Sequence, residues 1–145
     1  FKKQIEIANE NKLPIIVHNR DASNDCLEIL RETKPLYGGV MHCYSGSVEL
    51  AKEFIKLGLY ISLGGPVTFK NARVPKEVAA AIPLDRLLLE TDCPYLSPHP
   101  LRGTLNEPKN IVYVAKEIAL LRNMSEEELI EATYKNALKC FTCKL

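Results

Sequence analysis

The sequence predicts an α/β fold built on a parallel sheet, about four strand–helix units long. Two observations carry this. Short apolar runs alternate with helical patterns along all 145 residues, and that alternation implies parallel strands with right-handed crossovers. Three runs also end in side chains able to bind a metal: PIIVH at His18, GGVMH at His42 and LLLETD at Asp92. The spacings are 24 and 50 positions, close to one and two repeats of a strand, its loop and its return helix. Such a rhythm puts the three groups at the carboxyl ends of strands, on one face of one sheet, where α/β folds place their sites.

The elements follow in order. Residues 1–12 place Phe1, Ile5, Ala8 and Lys12 on one helical stripe. Leu13 to His18 reads as a buried strand entered through Pro14. Asp21 is the expected cap of a helix over 22–33, with Cys26, Leu27 and Leu30 inward and Asp25 in its first turn. Tyr37 to Cys43 is the second strand. Ser47 caps a helix to about Leu57, stopped by Gly58. Leu59 to Leu63 is the third strand, closed by Gly64-Gly65-Pro66, and residues 75–82 form a short helix. Leu87 to Thr91 is the fourth strand. The loop CPYLSPHPLRG is stiffened by Pro94, Pro98 and Pro100. Asn106 is the expected cap of a helix to Arg122, and Ser125 with Glu128 forms a capping box for a last helix over 126–141.

Composition narrows the class. Hydrophobic residues are 46% and charged residues 26%, as in an ordinary globular protein. A net charge of +1, from 19 basic and 18 acidic residues, gives no general support for nucleic-acid binding and leaves a local basic patch open. No apolar run approaches the roughly 20 residues a membrane span needs, no signal peptide is visible, and the chain does not begin with Met. Five scattered cysteines, an odd count, favour reduced thiols and a cytoplasmic location. Cys140-x-x-Cys143 has no second pair to complete a four-ligand zinc site, so the two read as ordinary cysteines.

Two imidazoles and a carboxylate converging at strand ends point to a catalytic divalent metal. Alternation along a strand turns Glu90 to the same side as Asp92. Glu90 either shares the site or lies deeper as a supporting group. Arg20, two residues after the first ligand, and Arg102, in HPLRG, are the candidate anion contacts, because a guanidinium matches phosphate with forked donors. His99, between two prolines, reads as an exposed loop residue. No P-loop, dinucleotide fingerprint or nucleophile elbow is present. A closed (β/α)8 barrel needs roughly 250 residues and eight strands. The chain therefore reads as a fragment, as a small open α/β domain, or as a half that pairs with a second copy through its sheet edges.

At PIIVHNRDA, GGVMHCYSGS, YISLGGPVTFK, IPLDRLLLETDCPYLSPHPLRGTLNEP and SEEELIEATYKNALKCF, the chain resembles the second half of a TatD-family metal-dependent deoxyribonuclease. The motifs occur in the family's order over nearly the whole chain. LLLETD-x-PYL-x-P and RG-x-x-NEP are the most diagnostic. The resemblance implies a (β/α)8 TIM-barrel fold, here about four βα units plus C-terminal helices. It also implies cleavage of DNA phosphodiester bonds with magnesium, manganese or zinc. His18, His42 and Asp92 match the family's later metal ligands, Asp92 also serving the attacking water, with Arg20 and Arg102 toward the substrate. The family's first half supplies a His-x-His pair and a bridging glutamate, and neither occurs here. Residues 1–145 are thus expected to be one TatD-like domain lacking its N-terminal half, with weak metal binding, little or no nuclease activity, and self-association through open sheet edges. The alternatives are a hydrolase of a small ester, amide or phosphodiester, and an inactive half-barrel.

Overall fold

The computed structural model describes residues 1–141. Cys143, and with it the Cys140-x-x-Cys143 pair, lies outside them. The order is α1 (Lys2–Glu10), β1 (Ile15–His18), α2 (Ser23–Glu32), β2 (Gly39–His42), α3 (Val48–Lys56), β3 (Leu59–Leu63), α4 (Arg73–Ala81), β4 (Leu87–Leu89), α5 (Ile111–Leu121) and α6 (Glu126–Phe141). The four strands form one sheet in the order β1-β2-β3-β4, every pair parallel. Strand order equals chain order, so each helix returns the chain to the next place in the sheet.

The two faces of the sheet differ. Ile15, Val17, Met41, Leu59, Ile61, Leu63 and Leu87 turn to the helices and share the main core with Phe54, Ile118 and Leu129. Truncating a side chain as enclosed as Phe54 to alanine costs about 3–5 kcal/mol. The alternate residues line the opposite face. There Val40, Tyr60 and Leu88 pack with Cys140 and Ala137 of α6. Ile16, on the edge strand, stays 65% exposed.

Several local expectations need correction. Asp21 does not cap α2: the N-cap is Ala22, without a side-chain bond, and Asp21 takes a left-handed φ of 54°. The chain leaving β1 must turn there, and aspartate tolerates that region. Asn106 does not cap a helix either. A short 3-10 turn, Pro108–Asn110, precedes α5, and Asn106 is buried, spending its amide on the proline loop. Helix α4 starts at Arg73, two residues before Pro75, which falls in the first turn where a missing N–H costs nothing. β4 ends at Leu89 rather than Thr91. Other devices are present as expected. Ser47 Oγ accepts from Leu50 N–H at 3.3 Å, and Gly58 follows α3 with φ +87°. Ser125 and Glu128 exchange both bonds of the capping box, at 3.0 and 3.1 Å.

Candidate metal centre

The carboxyl ends of β2 and β4 bring three donors together. His42 Nδ1 lies 3.0 Å from Glu90 Oε2, and its Nε2 lies 3.1 Å from Asp92 Oδ1. Among the described residues, His42, Glu90 and Asp92 are the group of metal-capable side chains whose donor atoms all fall within 4.8 Å of one another. The chain turns sharply at this rim. Cys43, right after His42, has φ 45°, and Asp92 itself has φ 56°. Left-handed backbone in non-glycine residues costs free energy and concentrates at functional sites.

Sequence alternation left Glu90 with two roles, and the structure puts it against His42. Its backbone N–H still bonds Leu63 O at 3.1 Å, continuing the ladder one step past β4. Gly64 makes room for it: a Cβ at Gly64 would stand 3.2 Å from Glu90 Cγ. His18 stands at the end of β1, in register with His42, their ring centroids 5.8 Å apart. It is exposed and sits outside the tight group, one strand further along the same rim. Arg20 is exposed beside it, in a cleft along β1 shared with His18. Arg102 lies on the loop after β4, its guanidinium 3.7 Å from the ring centre of Phe69.

The donor chemistry fits a divalent cation. A neutral imidazole can donate from only one nitrogen, yet both nitrogens of His42 face carboxylate oxygens, which only accept. A cation beside one of these contacts resolves the mismatch, and so does a proton. Glu90 Oε1 is buried with no hydrogen-bond partner, the state expected of an oxygen whose partner is not a protein group. The two ring nitrogens point away from each other, so Nε2 and the Asp92 carboxylate 3.1 Å from it are the pair that would face one cation. The site is strongly negative. Burial first, then the charges of Glu90 and Asp92, push the Cys43 thiol up to about 11. Cys43 therefore stays protonated at neutral pH and offers no thiolate.

A parallel α/β sheet with imidazole and carboxylate donors at its carboxyl rim defines the class: an α/β protein with a candidate metal site. Comparison narrows it. A profile described as TatD related DNase matches residues 1–142, and the chain belongs to that family. The uncharacterized metal-dependent hydrolase YabD of Bacillus subtilis is 54% identical over 97% of this chain and 56% of its own length. YcfH of Escherichia coli K12, also named an uncharacterized metal-dependent hydrolase, is 46% identical over 97% of this chain and 54% of its own. The crystal structure of YjjV, a TatD homolog from E. coli K12, aligns with a TM-score of 0.91 at 32% identity, covering 96% of this chain and 54% of YjjV. A TatD family hydrolase from Entamoeba histolytica aligns at 0.84 with 21% identity, over 97% of this chain and 55% of that protein, a likeness of fold. The chain thus spans about half the length of the curated relatives it matches. The barrel-family expectation stands, the four parallel strands being part of a barrel. Among the described residues no helix is long and apolar enough to cross a membrane.

Proposed function

We propose that this chain is the metal-site-bearing part of a hydrolase that cleaves phosphodiester bonds in DNA. The observation that carries the reading is the meeting of His42, Glu90 and Asp92 at the strand ends within a chain of the TatD-related DNase family. His18, His42 and Asp92 would hold the ion, magnesium first and manganese or zinc as alternatives. When bound, a divalent cation acidifies water and offsets charge on the phosphate.

The chain's own groups do the rest. Glu90 fixes the ring of His42 through Nδ1, which sets the direction of Nε2. Asp92, beside Nε2, takes the proton released when water attacks the phosphorus, a general-base role that needs a carboxylate within hydrogen-bond reach. Arg20 and Arg102 neutralise phosphate oxygens of the substrate.

The test is hydrolysis of short single-stranded DNA and of a simple carboxylic ester with magnesium or manganese, by this chain and by the His42→Ala/Asp92→Ala variant. Hydrolysis of DNA by the parent alone supports the reading. Ester turnover without DNA cleavage replaces it with a small-molecule hydrolase. No turnover of either substrate favours the third reading, an inactive half-barrel.

A further inference from the structure

A second cavity opens on the same rim, between the loop after β3 and the loop after β4. It measures about 420 Å3 and is lined by Phe69, Lys70, Asn71, Ala72, His99 and Arg102, within the size range of small-ligand pockets, roughly 300–1,000 Å3. None of these residues belongs to the His42–Glu90–Asp92 group.

The walls are locked together. His99 N–H donates to Thr68 Oγ1 at 2.8 Å, and that hydroxyl donates in turn to Gly65 O at 2.7 Å. Gly65 lets the loops touch, since a Cβ there would lie 1.9 Å from Leu96 O. The Arg102 guanidinium stacks on Phe69. Stacking uses the face of the guanidinium and leaves the N–H groups on its edge to donate.

The charge is one-sided. Lys70 and Arg102 contribute two cations, Asn71 and His99 add polar groups, and no carboxylate lines the cavity. Among the described residues neither Lys70 nor Arg102 forms an ion pair. Cations gathered around a hollow without counter-charges mark an anion site, and an arginine fork suits phosphate oxygens in particular. An aromatic ring beside that fork is the pairing used to hold single-stranded nucleic acid.

We infer that this cavity is a subsite for a phosphate other than the one cleaved, on a single nucleic-acid strand that runs across the rim from the metal centre. Glu90 and Asp92 open the loop that later carries His99 and Arg102, so one loop serves both places. The inference rests on the phosphodiester reading, but binding here needs no metal, and the two can fail separately.

The experiment is titration of the whole chain in EDTA with trithymidylate, with thymidine and with inorganic phosphate, followed by NMR of the Phe69 and His99 side chains and by calorimetry. The expected result is saturable binding of trithymidylate that moves both sets of resonances, exceeds that of inorganic phosphate, and is absent for thymidine. Lys70→Gln/Arg102→Gln should weaken it about tenfold or more, the loss of charged hydrogen bonds. Arg102→Lys, which keeps the charge and drops the fork, should fall between. Equal affinity in parent and double variant, binding of inorganic phosphate as tight as that of trithymidylate, or unmoved Phe69 and His99 resonances would each overturn the inference. Binding at the cavity by a chain that never cleaves DNA would support the subsite and count against the proposed catalysis instead.

Discussion

Nδ1 of His42 stands 3.0 Å from Oε2 of Glu90, across 48 positions of sequence. The residues end strands that are not neighbours, with β3 between them. The contact spans the width of β3, and it leaves the remaining nitrogen of His42 beside Asp92. Glu90→Gln keeps the shape and removes the charge. Supporting carboxylates of this kind are worth roughly 10–100-fold in metal affinity. A drop of that size in manganese binding, read by calorimetry, is the expected outcome, and unchanged affinity would reduce Glu90 to scaffolding.

Gly64 should behave similarly through space rather than charge. Its φ is −121°, so alanine meets no backbone strain there. The added Cβ would stand 3.2 Å from Glu90 Cγ and 3.3 Å from Glu90 O, close enough to push the carboxylate aside by a few tenths of an ångström. Gly64→Ala is expected to weaken metal binding while moving the urea midpoint little. A large stability loss with unaltered affinity would contradict this.

What the sequence disclosed and what it hid follow one physical line. The strands and most helices were legible because period-2 and period-3.6 patterning reflects burial, which dominates folding. His42 and Asp92 were legible because they end apolar runs. The capping roles given to Asp21 and Asn106 failed because residues that cap helices also serve turns and loop anchors, and tertiary contacts decide between them. Glu90 stayed ambiguous because alternation gives a side and not a distance. Arg102 was marked as an anion contact, but the cavity it shares with Lys70 was not legible, because it is made by two loops packing together.

Asn106 holds the proline loop that carries Arg102. Its Nδ2 donates to Thr91 O and Tyr95 O, both at 2.7 Å, while Oδ1 accepts from Glu107 N–H and Asn110 Nδ2, both at 3.0 Å. Asn106→Ala removes the partner of four groups at once, the buried Asn110 amide among them, and such losses amount to about 2–4 kcal/mol. Urea unfolding should show that loss. Asn106→Asp, which keeps the acceptor and loses both donations, should recover only part of it.

The buried thiol of Cys140 gives a pH dependence with a definite sign. Burial pushes it up to about 11 from an ordinary 9.0. Above pH 9 the unfolded chain releases this proton while the folded chain keeps it, so the unfolded state gains. The contribution to stability is complete below about pH 9 and is lost as pH rises toward 11. Thermal unfolding between pH 8 and 11 should be less steeply pH-dependent in Cys140→Ala than in the parent, whatever the offset from the smaller side chain. Identical slopes would count against it.

The edge strand carries the last prediction. Among the described residues β1 pairs on one side only, with β2. Ile16 is 65% exposed there, and a cleft of about 810 Å3 runs beside it between α1, β1 and α2. An open edge with apolar side chains is a template for another strand or chain. Self-association at high concentration is the expected behaviour of this chain, weakened by Ile16→Lys, which puts a charge on the edge without touching the core. Sedimentation velocity across a concentration series decides it: the parent should shift toward larger species and the variant remain monomeric. A parent that stays monomeric throughout would rule out association of two copies through this edge.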